Sequence, residues 1–432
     1  MAYKPKYAAS SRKREPDIIR KKPEPERPVS PPKREPSKAG RIAGILLTVI
    51  LVPVCTYASV RLLGAMLETV GRPKTAVIAK TKDMAVLDNV DAYVEKIMAQ
   101  ADSGLTAANL ELPEPVPEET RPDLPHYTIP DDAQVAPEPD QSRFGRVDTP
   151  EQMKPILEQA KWLLDGQETY FQPNQEIYEG SIIRYYLDDT IFAVTWQEVH
   201  DDSVYTFSEV KVADASQFRR HLAGGEYGSD MQYLTTEMAQ SVNAVVASAG
   251  DFYRFRDFGA VVYQGQAKRV EGTYAETCYI DRNGDMHFTR GGEVLTVQDV
   301  QAFVDENDIN FSLAFGPILV DNYELQEHTW YGVGEITEGY ARSALCQMDT
   351  LHYIVVTANT TGIHQTIPTV AMFAKNVAAT GCRMAYCLDG GQTATIVMND
   401  ELVNRPVYGQ QRKISDIIYF ATAIPEGGTD NG

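Results

Sequence analysis

The sequence predicts an α+β domain, a mixed sheet with packed helices, preceded by one transmembrane helix and a disordered stalk. Three observations predict it. Branched and aromatic runs recur at 181–187, 190–196 and 204–212, divided by Asp-Asp and His-Asp-Asp clusters that suit turns. Capped helical stretches are interspersed with such runs, without the strict strand-helix alternation of a parallel sheet. Near the N-terminus, IAGILLTVILVPVCTYASV is almost wholly apolar and long enough to cross a hydrocarbon core.

Taken in order, residues 1–41 are rich in Lys, Arg, Pro and Ser and bury too little to offset chain entropy, so they are expected to be a disordered basic tail. Residues 42–64 are the expected span; Pro53 is tolerated in such helices. The long basic region ahead of it favours an uncleaved signal anchor. Lys33, Arg34, Lys38 and Arg41 stand just before the span, which by the positive-inside rule places the N-terminus in the cytoplasm and the remainder outside the cell membrane. Residues 65–109 form a juxtamembrane stalk, with Val86, Leu87, Val90, Val94 and Ile97 at helical spacing. Residues 110–148 turn to Pro, Glu and Asp, which predicts an extended, self-repelling linker. A single folded domain over 149–426 follows. The formal charge is −20 and the basic residues crowd into the tail, so the body is strongly acidic and nucleic acid is not expected as a partner.

Within the domain, Thr149-Pro150-Glu151-Gln152 supplies a cap, a proline at the first helical position and a reciprocal partner for the cap. A helix is expected over 235–242, a buried small-residue strand over 243–249, and a hairpin over 278–289 with an Asn283-Gly284 turn. Asp281 to Asp285 is read as a turn, because its glycine falls too early for a calcium loop and no distal Glu closes it. Thr296 can cap one helix and Pro368 can open another. Cys278, Cys346, Cys382 and Cys387 stand where disulfides are chemically permitted, no pairing is assigned, and Cys382 and Cys387 are expected to be buried free thiols. No zinc spacing, Gly-x-Ser-x-Gly or phosphate-loop motif occurs, which disfavours the enzyme classes built on them; no metal or cofactor is expected.

Chemistry concentrates near the C-terminus. An apolar strand, 384–388, delivers Asp389 directly before Gly390 and Gly391, where the backbone can turn sharply and bring bare N–H groups close to an anion. Gln392 and Thr393 follow, then a hairpin whose Asn399-Asp400 pair suits positive φ angles. Gly250-Asp251 repeats the pattern of a carboxylate beside glycine at a strand end.

The order LDGGQT, polar hairpin, SDIIYF, preceded by Gly250-Asp251-Phe252-Tyr253, Phe315 to Val320, Arg342-Ser343-Ala344 and Leu351 to Val356, resembles the phosphodiester glycosidase family over roughly 180–424. The resemblance implies a hydrolase of sugar 1-phosphodiester linkages, which the expected span would anchor in the membrane and hold outside the cell, with phosphodiester-linked cell-surface glycans or exopolysaccharide as substrates. It implies that Asp389 and Asp251 share the acid, base or charge-stabilising roles. Arg342 would hold phosphate with its planar fork. The amides of Gly390 and Gly391, with Gln392, Thr393 and Gly250, would line the substrate.

Two positions depart from the pattern. Ala249 stands where many relatives have Asn, and Ala358-Asn359-Thr360 replaces a common Asp-Gly-Arg, which removes polar groups from the pocket rim. His364 is the candidate substitute. These losses define the competing expectation of a catalytically silent phosphoglycan-binding ectodomain; a structural scaffold explains least.

Overall fold

The computed structural model describes residues 126–425, apart from 330, 333–335, 362, 363 and 365. The expected tail, transmembrane span and stalk lie outside the described residues. Among those described, no helix is long and apolar enough to cross a membrane.

Two large sheets organise the domain. In the nine-stranded one, Glu324–Leu325 stands at one edge, followed by Ile318–Asp321, Met384–Leu388, Arg342–Asp349, His352–Asn359, Ser203–Val212, Ile191–His200, Ile183–Leu187 and Phe144–Val147. The five-stranded one runs Glu401–Leu402, Ile396–Met398, Val246–Ala249, Asp416–Phe420, Phe218–Leu222. Every ladder among the described residues is antiparallel. The α+β expectation therefore holds in its coarser form, a sheet-rich domain with few helices.

The large sheet is apolar on both faces, which is why its central strands read as near-continuous hydrophobic runs. Alternate residues go to opposite cores. Phe192, Val194, Trp196, Phe207, Ile354, Val356 and Cys387 join one core, which also holds residues of the helices Lys154–Leu164 and Val370–Ala378. Ala193, Val210, Tyr353, Val355, Tyr386 and Leu388 join the other, with Val246, Ile396, Ile418 and Phe420 of the five-stranded sheet. A third core fills the space under the helix Thr235–Ser241.

Local chemistry sets the element ends. Gln152 accepts the Thr149 N–H at 3.0 Å, and a short 3-10 turn, Pro150–Met153, leads into Lys154–Leu164. Thr296 caps Val297–Asn307 by accepting the Asp299 N–H. Thr369 caps Val370–Ala378, so Pro368 precedes the cap instead of opening the helix. Asn399 and Asp400 both adopt positive φ and make the tight hairpin between Ile396–Met398 and Glu401–Leu402. The 278–289 hairpin differs from expectation. Its loop has three residues, 282–284, closed by the Asp281 N–H on the Asp285 carbonyl, and within it only Gly284 has positive φ. The Asp281 carboxylate accepts the N–H groups of Asn283 and Asp285, which fixes the turn. All four described cysteines are free and buried.

The linker expectation fails at its C-terminal part. Tyr127–Thr128 pairs with Ile424–Pro425, Ile129 and Ala136 are buried, and Phe144–Val147 forms the outer strand beside Ile183–Leu187. Proline-rich chain is already extended, so it can lie along the domain once side chains satisfy its carbonyls; Arg219 donates to Ala133 O at 2.8 Å. Residues 126–148 therefore belong to the folded domain. A fragment starting at 126 is expected to melt several degrees above one starting at 149, because the cut at 149 strips a strand and uncovers the third core. Equal melting temperatures would restore the linker reading.

Candidate active site

Antiparallel register brings several strand ends to one edge of the large sheet. Ser343 lies opposite Leu388 and Arg342 opposite Ala358, so the C-termini of Met384–Leu388 and His352–Asn359 meet the N-terminus of Arg342–Asp349. Asp389 emerges there.

The Asp389 residue is only 6% exposed, and its N–H donates to Gly250 O at 3.2 Å. Burial pushes its carboxyl above the usual carboxylate range; hydrogen bonding from Thr393, the Arg412 and Arg256 charges and the Gly390 N–H offset this only in part. Arg412 Nη2 lies 3.0 Å from Oδ2. The Arg412 guanidinium also covers the Phe252 ring, 4.6 Å from its centroid. Arg256 sits 5.7 Å from the same ring and 5.5 Å from that of Phe315. A partly protonatable carboxylate thus stands beside two cations on an aromatic floor. Phe252 holds φ +69°, an unusual angle for a residue with a Cβ, on the turn where Tyr253 N donates to Asp251 Oδ1.

Of the expected side chains, Thr393 is the one that acts on the Asp389 carboxyl, lowering its pKa, and its Oγ1 donates to Gly390 O at 2.7 Å. Gln392 is half-buried in the same turn. The two glycines serve the backbone. A Cβ on Gly390 would lie 2.3 Å from Ala341 O, and the Gly391 N–H, at φ +66°, donates to that oxygen at 2.8 Å. The Gly391 amide is thereby committed, contrary to its expected role as an anion donor.

Asp251 and Gly250 are corrected more fully. Asp251 is completely buried: Oδ1 accepts Arg220 Nη2 at 2.6 Å and the Tyr253 N–H, and Oδ2 accepts the Ala314 N–H at 2.7 Å. Arg220 bridges on to Asp416 at 2.9 Å and donates to Ser312 O. With its acceptors occupied in a sealed ion triad, Asp251 supports the fold and does not face substrate. Gly250 is required because a Cβ there would overlap the Asp416 carboxylate. Arg342 is likewise buried, donating to Glu338 O at 2.8 Å and stacking 5.4 Å from Tyr340. It holds the 338–341 segment at the edge of the site. His364 pairs with Asp202 at 3.0 Å, at the turn before Ser203–Val212. Three strand spacings, about 14 Å, separate that strand from the one carrying Asp389, so His364 does not join the group.

Arg256 and Arg412 escaped the sequence reading, and Phe252 entered it only within the Gly250 to Tyr253 motif. Their signals were the alternating FYRFRDF after Gly250-Asp251 and a basic pair ahead of the terminal strand.

Residues 242–421 match the phosphodiester glycosidase family. The match covers less than half of the 432 residues and starts well inside the 180–424 resemblance, so the outer strands of the large sheet precede it. It contains Asp389, Arg412, Arg256 and Phe252, whereas Arg220 lies upstream. A search of curated proteins finds no match. Among solved structures, the chain is similar to the catalytic domain of zebrafish N-acetylglucosamine-1-phosphodiester alpha-N-acetylglucosaminidase, auto-inhibited by pro-peptide. Identity is 18%, with 54% of this chain and 82% of that one covered at a TM-score of 0.43. A hypothetical protein from Synechocystis is 14% identical over 57% of this chain and 64% of that one, at a TM-score of 0.40. The phosphodiester glycosidase match and the group around Asp389 thus fall in the same part of the chain.

Proposed function

We propose that the domain hydrolyses sugar 1-phosphodiester linkages, with Asp389 as the catalytic carboxylate and Arg256 and Arg412 as the phosphate-holding pair. One observation carries this: a buried carboxylate with raised pKa beside two arginines on an aromatic floor. In the reaction the anomeric C1–O bond breaks, its electron pair leaves with the phosphate, and a water oxygen bonds to C1 as Asp389 takes the water's proton. Phosphate is a competent leaving group, so a second carboxylate acting as acid is not required; this accords with the sequestration of Asp251. The cations offset charge on the departing phosphate. The apolar run at 42–60 supports anchoring in the cell membrane with the domain outside, where phosphodiester-linked surface glycans or exopolysaccharide would be met.

The test is incubation of the protein with a panel of sugar 1-phosphodiesters, beginning with N-acetylglucosamine, and detection of free sugar by mass. No product from any member sinks the hydrolase. The alternative, a phosphoglycan-binding ectodomain without turnover, draws support from Ala249 and from the altered rim at Ala358-Asn359-Thr360.

A pH dependence follows. As the proton acceptor, Asp389 works when ionised, so kcat/KM should rise with pH through an acid limb placed above the usual carboxylate range. Arg412→Met removes a charge that lowers this pKa, and the limb should move to higher pH. A limb that stays in place would detach Arg412 from Asp389.

A further inference from the structure

We propose that Tyr408 and Phe255 form outer sugar subsites, so that the site takes a phosphodiester-linked glycan chain and not an isolated sugar phosphodiester; the proposal rests on the reading of Asp389 and its arginines as the phosphodiester site. Tyr408 is 86% exposed, the most exposed large apolar side chain among the described residues. It sits in a tight turn, Val407–Gly409, closed by the Gly409 N–H on Pro406 O at 2.9 Å, and holds φ +61°, a region that residues with a Cβ rarely adopt. An observed outlier of this kind at the edge of a site points to a function that keeps it.

Its position supplies that function. The Val407–Gly409 turn packs against Gly391–Thr393, the turn that follows Asp389. Four residues after Tyr408 the same segment delivers Arg412 to the Asp389 carboxylate. On Arg412's other contact lies Phe252, and Phe252 stacks on Phe255 with ring centroids 4.5 Å apart; Phe255 is 42% exposed. Outward from the carboxylate and its cations, therefore, a solvent-facing ring stands along each of two branches. The flat face of an aromatic ring packs on the C–H face of a pyranose and leaves the sugar hydroxyls in water. A guanidinium flanked by rings repeats the alternation of phosphate and sugar along a glycan joined by phosphodiester bonds.

The test measures binding, by calorimetry on the full-length chain carrying Asp389→Asn to stop turnover. The probes are hexose and N-acetylhexosamine trimers joined by 1-phosphodiester bonds, each beside its methyl 1-phosphodiester monomer. Trimers should bind more tightly than monomers. Tyr408→Ala should weaken trimer binding about tenfold and leave monomer binding unchanged, with Phe255→Ala acting in the same direction and Tyr408→Phe retaining most of the affinity. Because Tyr408 is exposed, its Ala and Phe variants should melt like the parent; Tyr408→Gly, which relieves the positive φ, should hold or raise the melting temperature while losing trimer affinity. The proposal is overturned if no trimer binds, if trimers bind no tighter than monomers, or if Tyr408→Ala binds trimers as the parent does or weakens both probes alike. A protein that binds trimers through Tyr408 yet releases no sugar in the ionised-Asp389 form keeps the subsite and loses only the hydrolase.

Discussion

Asp389→Asn should reduce turnover of a sugar 1-phosphodiester about a hundredfold or more, roughly 2.7 kcal/mol of transition-state stabilisation, without lowering the melting temperature. The amide is isosteric, so the turn through Gly390 and Gly391 and the contact with Arg412 can persist. The charge and the proton acceptor are lost. The direction of the stability effect is set by the carboxyl's raised pKa. A carboxyl whose folded pKa exceeds its unfolded value contributes stability below the unfolded pKa and loses it as pH rises through the folded one, so above its folded pKa the ionised Asp389 is a burden on the fold. Asparagine removes that burden, and the melting temperature should stay level or rise. Stopped-assay rates and thermal scans on the same preparations check both halves. A variant that retains parental turnover would take Asp389 out of the chemistry, and one that loses turnover only because it unfolds would make it structural.

What could be read in advance was what short-range chemistry determines. Thr296 capping a helix, Asn399-Asp400 at positive φ and the strand Met384–Leu388 ending at Asp389 each depend on residues a few positions apart. The misreadings have the opposite character. Asp251 resembles Asp389 locally, since each stands beside glycine at a strand end, and what separates them is distant in sequence: Arg220 and Asp416 enclose one, Arg412 and Arg256 flank the other. Gly250 looked like a substrate-approach glycine for the same reason, when the group that needs the space is the Asp416 carboxylate. The 126–148 segment has the composition of a spacer, and composition reports how a chain behaves alone; the edge offered by Ile183–Leu187 cannot be seen from it. Arg412 was hidden because a basic pair in a polar loop carries no local signature of its target.

Arg220→Met should lower stability by about 3–5 kcal/mol, the range for breaking a buried ion pair by removing one partner, while a triple variant that adds Asp251→Asn and Asp416→Asn should recover much of the loss. Arg220 is fully buried and joins Asp251 at 2.6 Å to Asp416 at 2.9 Å, so its removal strands two carboxyls away from water. Burial already pushes Asp416 up to about 7, with the Arg220 charge opposing the shift. The sign of the pH effect follows from the raised value. Stability linked to Asp416 is complete below its unfolded pKa, about 4, and is lost as pH rises toward 7. Without Arg220 the Asp416 shift grows, and the variant's deficit should be smallest in acid, where Asp416 can hold a proton, and largest at neutral pH. Thermal unfolding of parent and variants from about pH 4 to 8 measures this. The same series decides the role of Asp251, because Asp251→Asn should depress the melting temperature while the folded fraction keeps its turnover. Full stability with abolished turnover would return Asp251 to the catalytic machinery and overturn its assignment to the ion triad.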